Sequence, residues 1–225
     1  VAAIARQVRE CDTRLWRILD YHVARARERE DFADVTAIAI DETSRRRGHR
    51  YVSVVADVKK RRVLFATEGK GQNVIERFVA DFQTHGGEAT ALEHVSMDMS
   101  PAFVAGVREF LPGAEITFDR YHIMKLATDA LDDVRKEEAK DNPYLRGSKY
   151  LWLFNPKNLS ATQEQRLWDL RTLTHKTSNA YGIVQGLRTF FELPMVLAES
   201  YLKRWYHWAR SSRIDAMKEF ALTIK

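Results

Sequence analysis

One cysteine, Cys11, is all the chain holds among its 225 residues. A disulfide framework and a zinc site built from several cysteines are therefore both excluded within it, and a reducing compartment is the expected setting. No apolar run approaches the ~18 residues that a membrane-spanning helix requires, and the first residues lack the pattern of a signal peptide. The expectation is a cytoplasmic protein without a membrane partner. Internal repeats and low-complexity tracts are absent as well. Charge of one sign is only mildly in excess: the net charge is +5 and the sequence pI ≈ 9.3, compatible with a nucleic-acid partner but shared by many soluble proteins. With 45% hydrophobic and 30% charged residues, the length allows one large domain or two modest ones around a sizeable core.

What is present centres on residues 35–42, VTAIAIDE. A short run of β-branched and small apolar residues reads as a buried strand, Val35 to Ile40, and it ends abruptly in the carboxylates Asp41 and Glu42. An acid at the end of a buried strand is costly unless it is paired or binds a metal. The pattern returns at Leu92 to Asp98, with Ser100 and Pro101 opening a helix. Between them, residues 51–58 and 62–67 read as two further strands joined by tight basic links, and Val74, Ile75, Phe78, Val79 and Phe82 share one helical face. Residues 115–118 give a fifth strand. The order β-β-β-α-β-α-β predicts a mixed sheet with strand one in the middle, antiparallel to strand two and parallel to strand four. Asp41 and Asp98, each expected as the first residue past its strand, then meet at one sheet edge.

The flanks read as helical. Residues 1–30 suggest two helices in a helix-turn-helix, capped at Asp12 or Thr13, with Leu15, Trp16, Ile18, Leu19 and Val23 forming an apolar stripe. Its second helix would present Arg14, Arg17 and later Arg25 to DNA; an ordinary helical hairpin with a solvated basic face is the structural alternative. The run Arg25 to Asp31 reads as a linker or a solvated helix end. From Asp119 onward the periodicity is helical, with a break at Asp141-Asn142-Pro143, an aromatic and basic connector over residues 144–158, and a capping box of Ser160 and Gln163.

Two convergent carboxylates suit a hard divalent cation, Mg²⁺ or Mn²⁺, because neutral amides would not offset its charge. Such ions activate a water or hydroxyl and stabilise the leaving oxygen of a phosphodiester. Asp119 and His122 form a further candidate pair on one helical turn, His122 contacting phosphate or shuttling a proton; helix capping is the alternative for Asp119. Arg45, Arg46, Arg47, His49 and Arg50 lie just beyond Asp41, placed either over DNA phosphates or in a solvated hairpin turn. Tyr150, Trp152, Phe154, Trp205 and Trp208 offer faces for stacking on bases or for packing a helical core.

The segments AIDE at 39–42, SMDMSPAF at 96–103 and ITFDRYHIMK at 116–125 resemble the DDE transposases of bacterial insertion sequences, and most closely their ISL3 group. The resemblance implies an α/β fold: a ribonuclease-H-like mixed sheet with a helical N-terminal segment and an inserted α-helical region. The division it implies is 1–30 helix-turn-helix-like, 31–122 the first part of the catalytic core, and 123–225 the helical insertion. It also implies DNA cleavage and strand transfer with Asp41 and Asp98 as metal-binding catalytic acids. Asp119 and His122 match an Asp-x-x-His signature. Double-stranded DNA, a homodimer or larger assembly on it, and a bacterial, nucleoid-associated location follow from the same likeness. Two departures stand out. The group's cysteine-rich N-terminal segment has no counterpart in this sequence. The third acid, a Glu after the helical insertion, has no match either: Glu192, Glu199 and Glu219 lack its context and none is assigned. A fragment with two of three acids, inactive without the third, is the expectation; a DNA-binding module on the same scaffold is the alternative.

Overall fold

The computed structural model describes residues 1–46 and 50–224, with the side chains of residues 44–46 and 50 outside the description. The chain divides into two compact units, Val1–Phe118 and Asp119–Lys225.

The first unit opens with helices α1 (Ala2–Val8) and α2 (Asp12–Arg27). The N-cap of α2 is Cys11, without a side-chain bond, so Asp12 is the first helical residue and neither it nor Thr13 is the cap. None of the residues of α2 is buried, and the predicted stripe leaves Trp16, Ile18, Leu19 and Val23 exposed. The charged run Arg25 to Asp31 is solvated at Arg25, Glu28, Arg29 and Asp31, as read from the sequence, but Arg27 and Glu30 are half-buried. Arg27 donates to Asp81 at 2.5 Å and to the Leu64 carbonyl, and Arg62 reaches back to Glu30 at 2.5 Å. Both guanidinium groups lie over the buried Phe32 ring, 5.7 and 5.3 Å from its centroid. Cation–π contact and ion pairing thus clamp this segment to the sheet.

The sheet has the order β3-β2-β1-β4-β5, from β1 (Ala37–Arg46), β2 (Arg50–Asp57), β3 (Arg62–Glu68), β4 (His94–Met97) and β5 (Glu115–Phe118). β1, β2 and β3 form the expected antiparallel meander, and β4 and β5 continue it in parallel. Helices α3 (Asn73–Thr84) and α4 (Pro101–Phe110) supply the crossovers. The apolar residues of α3 and α4, led by Ile75, Phe78, Phe82, Phe103 and Val107, pack with Ile38, Ile40, Val95 and Met97 from one sheet face. Gly106 sets how closely α4 approaches α3: a Cβ there would lie 2.7 Å from Ile75 Cγ1.

The second unit is helical: α5 (Arg120–Glu138), α6 (Lys149–Leu153), α7 (Ala161–Leu173), α8 (Lys176–Phe190), α9 (Met195–Ser211) and α10 (Asp215–Ile224). The capping box forms as read from the sequence: Ser160 Oγ accepts from the Gln163 amide, and Gln163 Oε1 from the Ser160 amide. The connector over residues 144–158 is more ordered than a linker, because Trp152 on α6 is fully buried. The start of α8 is capped from another helix. Glu138, the last residue of α5, accepts from the amides of His175, Lys176 and Thr177 at 3.0, 3.4 and 2.6 Å, and from the Thr177 hydroxyl at 2.6 Å. Burial pushes the Glu138 carboxyl up, but these hydrogen bonds outweigh it and hold the pKa below its ordinary 4.5. A depressed carboxylate contributes stability above its unfolded pKa and loses it as pH falls through the folded value. Glu138→Ala orphans several donors and is expected to cost about 2 kcal/mol at pH 7 in urea unfolding, with the difference from wild type shrinking in acid.

Candidate functional site

β1 and β4 pair Ala37 with His94, Ile38 with Val95 and Ala39 with Ser96. Continued by two residues, this register sets Asp41 opposite Asp98, one strand spacing of about 4.8 Å away. The pleat decides which way they point. Ile38, Ile40, Val95 and Met97 are buried on the helix-covered face. The alternate residues, Ala39 and Asp41 on one strand and Ser96 and Asp98 on the other, therefore fall on the opposite face. Asp41 is exposed and Asp98 half-buried.

The sequence places both acids just past their strands; this holds for Asp98 and not for Asp41. β1 continues to Arg46, with Asp41, Glu42 and Thr43 paired to Val54, Ser53 and Val52. Backbone pairing carries the strand beyond its apolar run. Strand pleating thus fixes the direction of Asp41, and the adjacent Glu42 falls on the helix side of the sheet. Asp41 Oδ1 accepts the Glu42 amide at 2.8 Å, and Asp98 Oδ1 accepts the Ser100 amide at 3.0 Å. Ser100 takes the N-cap position of α4 without a side-chain bond, so the neighbouring carboxylate serves the turn instead.

In the second unit Asp119 is the N-cap of α5, and its Oδ1 accepts the Tyr121 amide at 2.8 Å. The capping alternative is thus met, while Asp119 Oδ2 also lies 4.0 Å from His122 Nε2. Glu192 and Glu199 are exposed and held by Lys157 at 2.9 Å and Lys203 at 2.6 Å. Among the described residues no group of three or more His, Cys, Asp or Glu is placed to hold a metal ion.

Of the basic candidates, Arg14 pairs with Glu10 at 3.0 Å on the exposed α2, which also carries Arg17. Arg47 and His49 lie outside the described residues, as do the side chains of Arg45, Arg46 and Arg50. Of the aromatic candidates Trp152 and Trp205 are core residues, whereas Tyr150, Phe154 and Trp208 are exposed. Trp168, unremarked in the sequence, is the most exposed tryptophan at 63%. Its helix buries Leu167 and Leu170 beside it, so periodicity alone offers no signal that it faces outward. No described helix is long and apolar enough to cross a membrane.

A family model described as "Transposase" (DDE_Tnp_ISL3) matches residues 38–225. The transposase for insertion sequence element IS1001 of Bordetella parapertussis is 30% identical over 92% of this chain and 53% of that protein. The transposase for insertion sequence element IS1557 of Mycobacterium tuberculosis (strain CDC 1551 / Oshkosh) is 28% identical over 93% of this chain and 54% of that protein. The chain thus spans about half the length of the curated relatives it matches. Among solved structures, the HTLV-2 integrase catalytic core domain in complex with magnesium is similar at a TM-score of 0.30 and 15% identity, over 65% of this chain and 91% of that one. A simian T-cell lymphotropic virus intasome chain is similar at 0.31 and 16%, over 68% and 56%. The observed strand order, a meander extended by two parallel crossover strands, is the ribonuclease-H-like arrangement that the sequence motifs imply. The chain belongs to the ISL3 family of DDE transposases.

Proposed function

We propose that this chain carries the first two catalytic acids of an insertion-sequence transposase, Asp41 and Asp98, and that they hold Mg²⁺ or Mn²⁺ for cutting and joining DNA. The observation that supports this most directly is the β1–β4 register, which continues to Asp41 opposite Asp98 on one face of the sheet. The donor set fits the ion. Both groups are carboxylates, one oxygen of each is oriented by a backbone amide, and Mg²⁺ is commonly held by one or two carboxylates, with waters and substrate phosphate completing its shell. When bound, such an ion supplies an activated water or 3′-hydroxyl and charge stabilisation at the leaving oxygen of the phosphodiester. The chain's own residues hold the acids in line. Strand pairing fixes Asp41, and the turn into α4 fixes Asp98. Asp119 and His122 are assigned a supporting role, the carboxylate orienting an imidazole that meets phosphate or moves a proton. The partners in this reading are double-stranded DNA, reached by Arg14, Arg17, Arg45, Arg46, Arg47 and Arg50, and further copies of the transposase on it. A bacterial cytoplasm is the matching compartment.

The test is a Mn²⁺ titration of the wild-type chain and of Asp41→Asn/Asp98→Asn, followed by calorimetry and paramagnetic line broadening. Saturable binding that disappears in the double variant is the expected result. Equal behaviour of the two proteins would remove the metal site, and salt-sensitive DNA binding without it would favour a DNA-binding module on the same scaffold.

A further inference from the structure

Two adjoining hollows lie on the second unit where α7 passes into α8. One, of about 480 Å³, is bounded by Arg171, His175, Asn179 and Trp208 among others; the next, of about 200 Å³, by Trp168, Arg171, Thr172 and Ser178. They share Arg171 and Ser178, and no carboxylate lines either of them. Two tryptophans stand at the borders. Trp168 is 63% exposed and Trp208 43% exposed, unusual positions for the residue with the most apolar surface to hide. Trp208 is held by shape: its ring lies against Gly182 and Gly186 on α8, where a Cβ would approach ring atoms to 3.4 and 2.9 Å. Trp168 and Arg171 are three residues apart on α7 and so share a helical face.

The polar groups here are not spent internally. Arg171 has its guanidinium 5.5 Å from the Tyr181 ring centroid and no carboxylate within ion-pairing distance among the described residues. The Ser178 hydroxyl and the Asn179 side-chain amide make no hydrogen bond within the described residues, whereas Thr172 and Thr174 bond back to their own helix. The nearby acids are engaged elsewhere: Asp169 accepts from Gln165 at 3.0 Å, and Glu138 caps α8. The surface therefore offers aromatic faces, an uncompensated guanidinium, and hydroxyl and amide donors.

We infer that this groove binds an unpaired DNA strand, with bases stacking on Trp168 and Trp208 and phosphates meeting Arg171, Ser178 and Asn179. Aromatic faces accept any base but only when it is out of a duplex, because stacking on neighbouring bases covers the base planes there. The cation and the neutral donors are complementary to a phosphodiester backbone. This rests on the reading that the chain handles DNA, and it adds a strand-holding site distant in sequence from Asp41 and Asp98.

The test uses the whole chain and a short fluorescein-labelled oligo(dT), with a duplex of equal length as comparison, read by anisotropy at low salt. Trp168→Ala is expected to weaken oligo(dT) binding about 5- to 150-fold with duplex affinity and melting temperature unchanged, and Arg171→Ala to weaken oligo(dT) binding with duplex affinity unchanged. Trp168→Tyr keeps an aromatic face and should keep most of the affinity. Arg171→Ala should also flatten the slope of log affinity against log salt by about 0.7. Oligo(dT) that fails to bind wild type, or binds the alanine variants equally well, would overturn the proposal, as would an equal loss of duplex binding or tighter binding of polyglutamate. The Mn²⁺ titration at Asp41 and Asp98 reports separately on the metal site, so either reading can fail without the other.

Discussion

Trp152→Ala is expected to lower the stability of the helical unit by about 3–5 kcal/mol, seen as an earlier midpoint in urea followed by circular dichroism. Trp152 is fully buried. Its indole Nε1 donates to Ser148 Oγ at 3.0 Å, and that hydroxyl donates to the Leu145 carbonyl at 2.7 Å. The ring meets Tyr181 edge-on with centroids 5.6 Å apart. Alanine removes the largest side chain of this cluster and leaves a cavity that α5, α6 and α8 cannot close without moving whole helices. Trp152→Phe separates the contributions. It keeps most of the apolar volume and loses the indole hydrogen bond, so its cost should be nearer 1–2 kcal/mol. An alanine variant within about 0.5 kcal/mol of wild type, the range of ordinary surface substitutions, would show that this side chain is not packed as described.

The same residue marks a limit of what sequence reveals. Within YLRGSKYLWLFNPKN, Trp152 is compatible with either base stacking or core packing, because the segment has no long periodic run to decide which face is inside. Trp168 errs the other way: an outward tryptophan inside a well-formed helix resembles its buried neighbours Leu167 and Leu170. The sheet was far more legible. Its strands are short apolar runs with turn residues between them, and crossover rules leave few orders available. The opposition of Asp41 and Asp98 follows from that order, and the continued β1–β4 register agrees with it. The length of β1 is not legible in the sequence, since Asp41, Glu42 and Thr43 pair through the backbone and carry no apolar signal. The docking of Arg27 and Glu30 has no sequence signal, because their partners, Asp81 and Arg62, are distant in sequence and a charge run alone looks solvated. On α2 an apolar stripe predicts a buried face, yet none of its residues is buried.

Asp132→Ala is expected to cost about 3 kcal/mol, because it leaves a buried arginine without its counterion. The Asp132 side chain on α5 is 5% exposed and meets Arg135 at 2.7 Å, Lys136 at 3.2 Å and Lys149 of α6 at 3.3 Å. The two lysines are largely exposed, and water replaces what they lose. Arg135 is 11% exposed, so its guanidinium is the group left desolvated. Burial pushes the Asp132 carboxyl up, but the hydrogen bonds from Arg135, Lys136 and Lys149 outweigh it and hold the pKa below the usual 3.8. A carboxylate depressed in this way stabilises the fold above its unfolded pKa and stops doing so as pH falls through the folded value. The penalty of Asp132→Ala should therefore be full at pH 7 and shrink only in strong acid. Replacing both partners tests the mechanism more sharply. In Asp132→Leu/Arg135→Met no buried charge is left unpaired and the volume is filled, so most of the lost stability should return. A double variant as unstable as Asp132→Ala alone would instead mean that the pair holds α5 and α6 by hydrogen-bond geometry, which apolar side chains cannot replace.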